Sequence, residues 1–148
     1  TDISADTSLT TINVSGNDKI TLTVGAEAAL LATLDASAMT YDANLTTGAG
    51  CYLAVSLGTG NDTINFGTTL SSADSVTDAG NRTATTGDRL TATISGLSTV
   101  TGTGNLNISG VENIDLITAT SASSISAANI TGASVINAAS LSINASEI

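Results

Sequence analysis

Five aspartates stand where their surroundings suit a hard cation: Asp18, Asp62, Asp74, Asp78 and Asp88. Two of them occur in matching windows, Gly16-Asn17-Asp18-Lys19-Ile20 and Gly58-Thr59-Gly60-Asn61-Asp62-Thr63-Ile64. A carboxylate in a glycine-rich turn, with loop carbonyls beside it, offers the oxygen ligands that calcium prefers. The plainer reading is an Asn-Asp turn, because both residue types tolerate left-handed backbone and cap it locally. Asp74, Asp78 and Asp88 form a second group around Gly80 and Gly87. Three carboxylates gathered in one loop repel one another unless a cation sits among them. Asp18 and Asp62 complete a single site only if the fold brings their loops together.

Catalytic chemistry finds less to work with. Asp35, Asp42, Glu112 and Asp115 are further carboxylates of the kind paired in glycoside hydrolysis, a reaction needing a cleft and a tuned acid. The chain has no His and only 2% aromatic residues, so a histidine base and sugar-stacking rings are both missing. We therefore expect no enzyme. With 13 acidic against 3 basic residues the formal charge is −10, which disfavours nucleic acid and suits divalent cations. The three basic residues, Lys19, Arg82 and Arg89, read as solvated or ion-paired. Cys51 is the one cysteine and cannot form an internal disulfide. No charged-then-apolar leader opens these residues, and no apolar run approaches the ~20 residues of a spanning helix.

The elements that position these groups read as strands. Ile12, Val14, Ile20, Leu22 and Val24 share one parity with Thr and Asn between them, the period of half-buried strands. Tyr52 to Leu57, Leu90 to Ile94 and Val111 to Leu116 repeat that style. Between Thr68 and Asp88 the sequence is polar and broken by glycine, which predicts the longest loop. From Ile125 onward Ile130, Val135, Leu141 and Ile143 are set in a background of Ala, Ser and Asn, suggesting short strands and tight turns. Ala26 to Leu34 is the one stretch with helical character, and a further solenoid turn is the competing reading there. Leu9, Gly16, Asn17 and Ile20 recur as Leu53, Gly60, Asn61 and Ile64, then as Leu97, Gly104, Asn105 and Ile108, each step 44 residues (61−17 and 105−61). The third window carries Leu106 in place of the aspartate. A fixed repeat of small and β-branched residues predicts an all-β parallel β-roll or β-solenoid of stacked coils, one domain over residues 1–148.

Two surface readings follow from the abundance of Asn, Ser and Thr. Glycosylation triplets occur at Asn13, Asn44, Asn61, Asn81, Asn107, Asn129 and Asn144, at about the frequency chance would give. Thr pairs at 21/23, 83/85, 91/93 and 99/101 are spaced too irregularly for the registered ranks of an ice-binding face, and ordinary outward strand positions account for them.

The order Gly-Thr-Gly-Asn-Asp-Thr-Ile at 58–64, then Ala73 to Gly80, Gly87 to Ile94 and Gly110 to Leu116, resembles the β-roll regions of bacterial surface-layer proteins and related RTX-like, calcium-binding secreted proteins. In motif the resemblance covers residues 57–117, and in style 9–145. It implies type I secretion, an extracellular place at the cell surface, calcium, and self-assembly into a layer or filament. Its partners would be other copies of the chain and cell-surface polysaccharide. The alternative it leaves open is a calcium-binding module of a secreted adhesin or enzyme. The motifs here are solitary, where the resembled proteins set nonapeptides in tandem and share each ion between adjacent loops.

Overall fold

The computed structural model describes residues 7–48, 52–78, 80, 87–94, 106–118, 123–139 and 141–144. Fourteen strands follow one another: β1 Thr11–Gly16, β2 Ile20–Val24, β3 Thr33–Met39, β4 Ala43–Thr47, β5 Ala54–Leu57, β6 Thr63–Asn65, β7 Ser75–Asp78, β8 Arg89–Ile94, β9 Asn107–Ser109, β10 Asn113–Thr118, β11 Ser123–Ser126, β12 Ile130–Thr131, β13 Val135–Ala139 and β14 Leu141–Asn144. They wind as a β-solenoid. One parallel sheet runs β1-β3-β5-β7-β9-β12, a second runs β2-β4-β6-β8-β10-β13, and β11 pairs with β14 in a short third. We number coils by the successive pairs β1/β2, β3/β4, β5/β6, β7/β8, β9/β10 and β12/β13. A corner of three to five residues leads from the first sheet to the second in every coil but the fourth, where β7 and β8 are ten residues apart. A wider turn leads back, and β11 and β14 occupy it towards the end of the chain.

The period-2 pattern becomes two inward columns. In the first sheet Ile12, Leu34, Val55, Val76, Ile108 and Ile130 stand in register. In the second, Leu22, Leu45, Ile64, Leu90, Ile114 and Ile136 do the same. Each coil stacks its inward aliphatic residues on those of the next, so the core needs almost no aromatic volume. Phe66 is the exception, buried where the chain leaves β6. Leu53 and Leu116 also fall in this core.

Three expectations change, the first being that the stretch from Thr68 to Asp88, read as the longest loop, is split by strand β7 at Ser75–Asp78. Residues 25–32 contain no helix; they form two successive tight turns, closed by Ala28 N–H to the Gly25 carbonyl (3.3 Å) and Leu31 N–H to the Ala28 carbonyl (3.0 Å). The chain must cross there from β2 to β3. Ala28 and Leu31 turn inward to close the coil while Leu30 stays 61% exposed. That demand outweighs the helix propensity of an Ala- and Leu-rich octet. The 44-residue alignment is also not the structural one. Ile20 stands opposite Ala43, Ile64 belongs to the Leu22 column, and Ile108 lies in the other sheet. Coil length is uneven, 19 residues from Leu45 to Ile64 (64−45) and 32 from Val76 to Ile108 (108−76), so a fixed period cannot track the register. Leu97, Gly104 and Asn105, together with Cys51 and Arg82, lie outside the described residues.

Candidate metal centre

Where the chain enters the second sheet, the residue just before the strand, or first in it for β4, forms a column of its own. Strand register puts Ala43, Asp62, Asp88, Glu112 and Ser134 one above another. Asp62, Asp88 and Glu112 are all buried. Each of these acids reaches back one coil and accepts the backbone N–H of the residue below it. Ala43 N–H donates to Asp62 Oδ1 at 2.7 Å, Asp62 N–H to Asp88 Oδ1 at 2.6 Å, and Asp88 N–H to Glu112 Oε2 at 2.9 Å. A buried N–H left without a partner is costly, so one side-chain oxygen per coil meets a real need.

The glycines of the Gly58-Thr59-Gly60 turn serve the same stacking. A Cβ at Gly60 would lie 2.6 Å from the Asp42 nitrogen, and one at Gly58 would overlap the Met39 carbonyl oxygen. Close approach of coil three to coil two therefore fixes glycine at both positions. The turn also lets Gly58 N–H donate to Asp62 Oδ2 at 3.0 Å.

Asp78, inward-facing at the end of β7, comes up to this column from the other sheet. Ligand oxygens of Asp62, Asp78 and Asp88 all lie within 4.8 Å of one another, in the interior. Asp78 Oδ2 accepts the Gly80 N–H at 3.0 Å, whereas Asp78 Oδ1 and Asp88 Oδ2 have no hydrogen-bond partner. Glu112 Oε1 is also unpartnered, and Glu112 lies outside the set of three. Among the described residues no basic side chain meets the set: Lys19 approaches Asp42 and Arg89 pairs with Asp115, both at the surface. Burial drives the Asp88 carboxyl up to about 8, with the facing carboxylate of Asp78 and the charge of Asp62 adding to it and the Asp62 N–H opposing. Burial also raises Asp62, against the two N–H groups from Ala43 and Gly58.

The five sequence-chosen aspartates thus separate into three fates. Asp62, Asp78 and Asp88 converge. Asp74 is buried but fully occupied: its Oδ1 takes the Leu53 N–H at 2.7 Å, and its Oδ2 takes the Ser71 N–H at 2.8 Å and the Ser71 hydroxyl at 3.0 Å. It supports the first sheet as Asp62 supports the second. Asp18 is exposed on the first corner and does not join Asp62, so the proposed pairing of the two Gly-Asn-Asp loops does not form.

Glu112 is the residue that motif reading assigned elsewhere. Its signal was an acid two positions before an inward aliphatic, as in Asp62-x-Ile64, Asp88-x-Leu90, Glu112-x-Ile114 and Asp74-x-Val76. Asp35 and Asp115, considered with it for hydrolysis, point outward from different sheets, and Asp115 is taken up by Arg89 and by Asn137 Nδ2. Among the described residues no helix is long and apolar enough to cross a membrane. Compared with protein-family models, curated proteins and solved structures, the chain matches none.

Proposed function

We propose that this chain is an extracellular structural protein whose coils continue from one copy into the next, building a surface layer or filament. One observation carries the reading. The inward row of coil one is covered only in part: Val14 and Val24 are buried, but Leu9, Ile12, Ile20 and Leu22 are only partly so, while the registered neighbours of the last three in coil two, Leu34, Ala43 and Leu45, are fully buried. Strands β1 and β2 also end their sheets, each with one backbone edge unpaired among the described residues. A parallel edge flanked by unfinished apolar surface is a template for another strand. A second copy supplies a coil of matching width. The resemblance to surface-layer proteins supports the same reading, as do the small, polar outward positions on both sheets.

A calcium-binding, RTX-like module of a secreted adhesin or enzyme is the second reading, and the buried acid cluster favours it. Sedimentation over a wide concentration range, with electron microscopy of the products, separates the two. Open-ended growth that Leu22→Glu abolishes supports the first. A monomer at every concentration supports the second.

A further inference from the structure

We propose that Asp62, Asp78 and Asp88 hold one calcium ion between the two sheets, clamping coil three to coil four, at a place other than a shared pair of Gly-Asn-Asp loops. This goes beyond the assembly reading, because the site is interior to one chain and distant in register from the unfinished row of coil one. The geometry suits the ion. Oxygens within 4.8 Å of one another can occupy opposite sides of a cation at about the 2.3–2.6 Å that calcium takes. Magnesium, at about 2.0–2.1 Å, needs a tighter octahedron and gives up its waters reluctantly, so a set of buried carboxylates suits calcium better.

The donor set is also incomplete without a cation. Asp88 is 0% exposed and Asp78 5% exposed, yet each carries an oxygen with no partner, Asp88 Oδ2 and Asp78 Oδ1. Asp62 has both oxygens engaged by N–H groups, but a carboxylate oxygen has a second lone pair and can ligate while accepting. The three side chains come from two sheets and two coils: Asp62 before β6 in coil three, Asp78 on β7 and Asp88 before β8 in coil four. An ion shared by them ties the sheets together where the chain turns between them.

Equilibrium dialysis of the full chain against calcium after chelation, with metal analysis, tests the proposal. The expected result is one ion per chain, a higher Tm in calcium than in chelator, and loss of both in Asp78→Asn and in Asp88→Asn. Asp18→Asn should keep the ion, and magnesium at equal concentration should not displace it. Wild-type protein that takes up no calcium overturns the site, and so does uptake that survives in both Asn variants or disappears in Asp18→Asn. Because dialysis reads bound ion in the wild type, the test does not depend on the variants folding, and sedimentation of the same samples reads assembly separately.

Discussion

Gly16-Asn17-Asp18 and Gly60-Asn61-Asp62 are the same tripeptide in the same chain, followed in each case by a residue and an isoleucine. One aspartate is exposed to solvent and the other is 1% exposed in the interior. Register explains the difference. Asp62 sits on the column of Ala43 and Asp88, so a coil below offers it the Ala43 N–H and a coil above covers it. On that column the first coil presents Ile20, two residues after Asp18, and nothing among the described residues lies below it. An acidic turn is thus made into a buried acid by its neighbours, and the same letters in the first described coil make a surface loop.

The sharpest way to break this contrast is to truncate equivalent core positions. Ile64 and Leu22 share one inward column, yet Ile64 is fully buried and Leu22 is half-covered. Ile64→Ala should cost about 2–5 kcal/mol in denaturant unfolding, and Leu22→Ala in dilute protein less than about half as much. Equal losses would contradict the unfinished first coil. Next comes the acid itself. Asp62→Ala strands two buried N–H groups, those of Ala43 and Gly58, at about 1–3 kcal/mol each, so unfolding free energy should fall even in chelator.

A smaller effect should appear with pH. The folded carboxyls of Asp88 and Asp62 are raised, Asp88 to about 8, so the native chain keeps a proton that the unfolded chain releases near pH 4. The native state then binds more protons across that window, and stability must fall as pH rises through it. In chelator Tm should be higher at pH 5 than at pH 8, and Asp88→Asn should flatten the difference. A Tm that climbs from pH 5 to pH 8 would remove the buried acid pair from the account. The smallest change is expected at the other Gly-Asn-Asp turn: Asp18→Ala should stay within about 0.5 kcal/mol of wild type by the same denaturant titration.

Much of this was legible in the residues. Alternation in Ile12 to Val24 and Leu90 to Ile94 placed inward positions correctly, and the shortage of aromatics pointed to thin stacked coils. Ile64, Ile108, Leu53, Ile114 and Leu116 are buried, whereas Ile20, expected inward with them, is only partly so. What sequence could not supply was register. Coils of unequal length moved Ile108 into the other sheet and put Asp62 opposite Ala43, so the 44-residue frame paired the wrong loops. Asp74 and Asp88 looked alike in the polar, glycine-broken stretch from Thr68 to Asp88, and only the fold shows that Ser71 and Leu53 satisfy the first while the second keeps a bare oxygen. At Ala26 to Leu34 local propensity spoke for a helix, and closure of the coil decided otherwise.

The central claim is that coil one is completed by another copy, and amide hydrogen exchange read residue by residue at increasing protein concentration addresses it most directly. Amides of β1 and β2 should gain protection as concentration rises, because an added coil would pair their open edges, while amides at Asp62, Arg89 and Asn113, already bonded within the chain, should stay constant. Protection in β1 and β2 that does not change over the whole concentration range would contradict the proposed assembly.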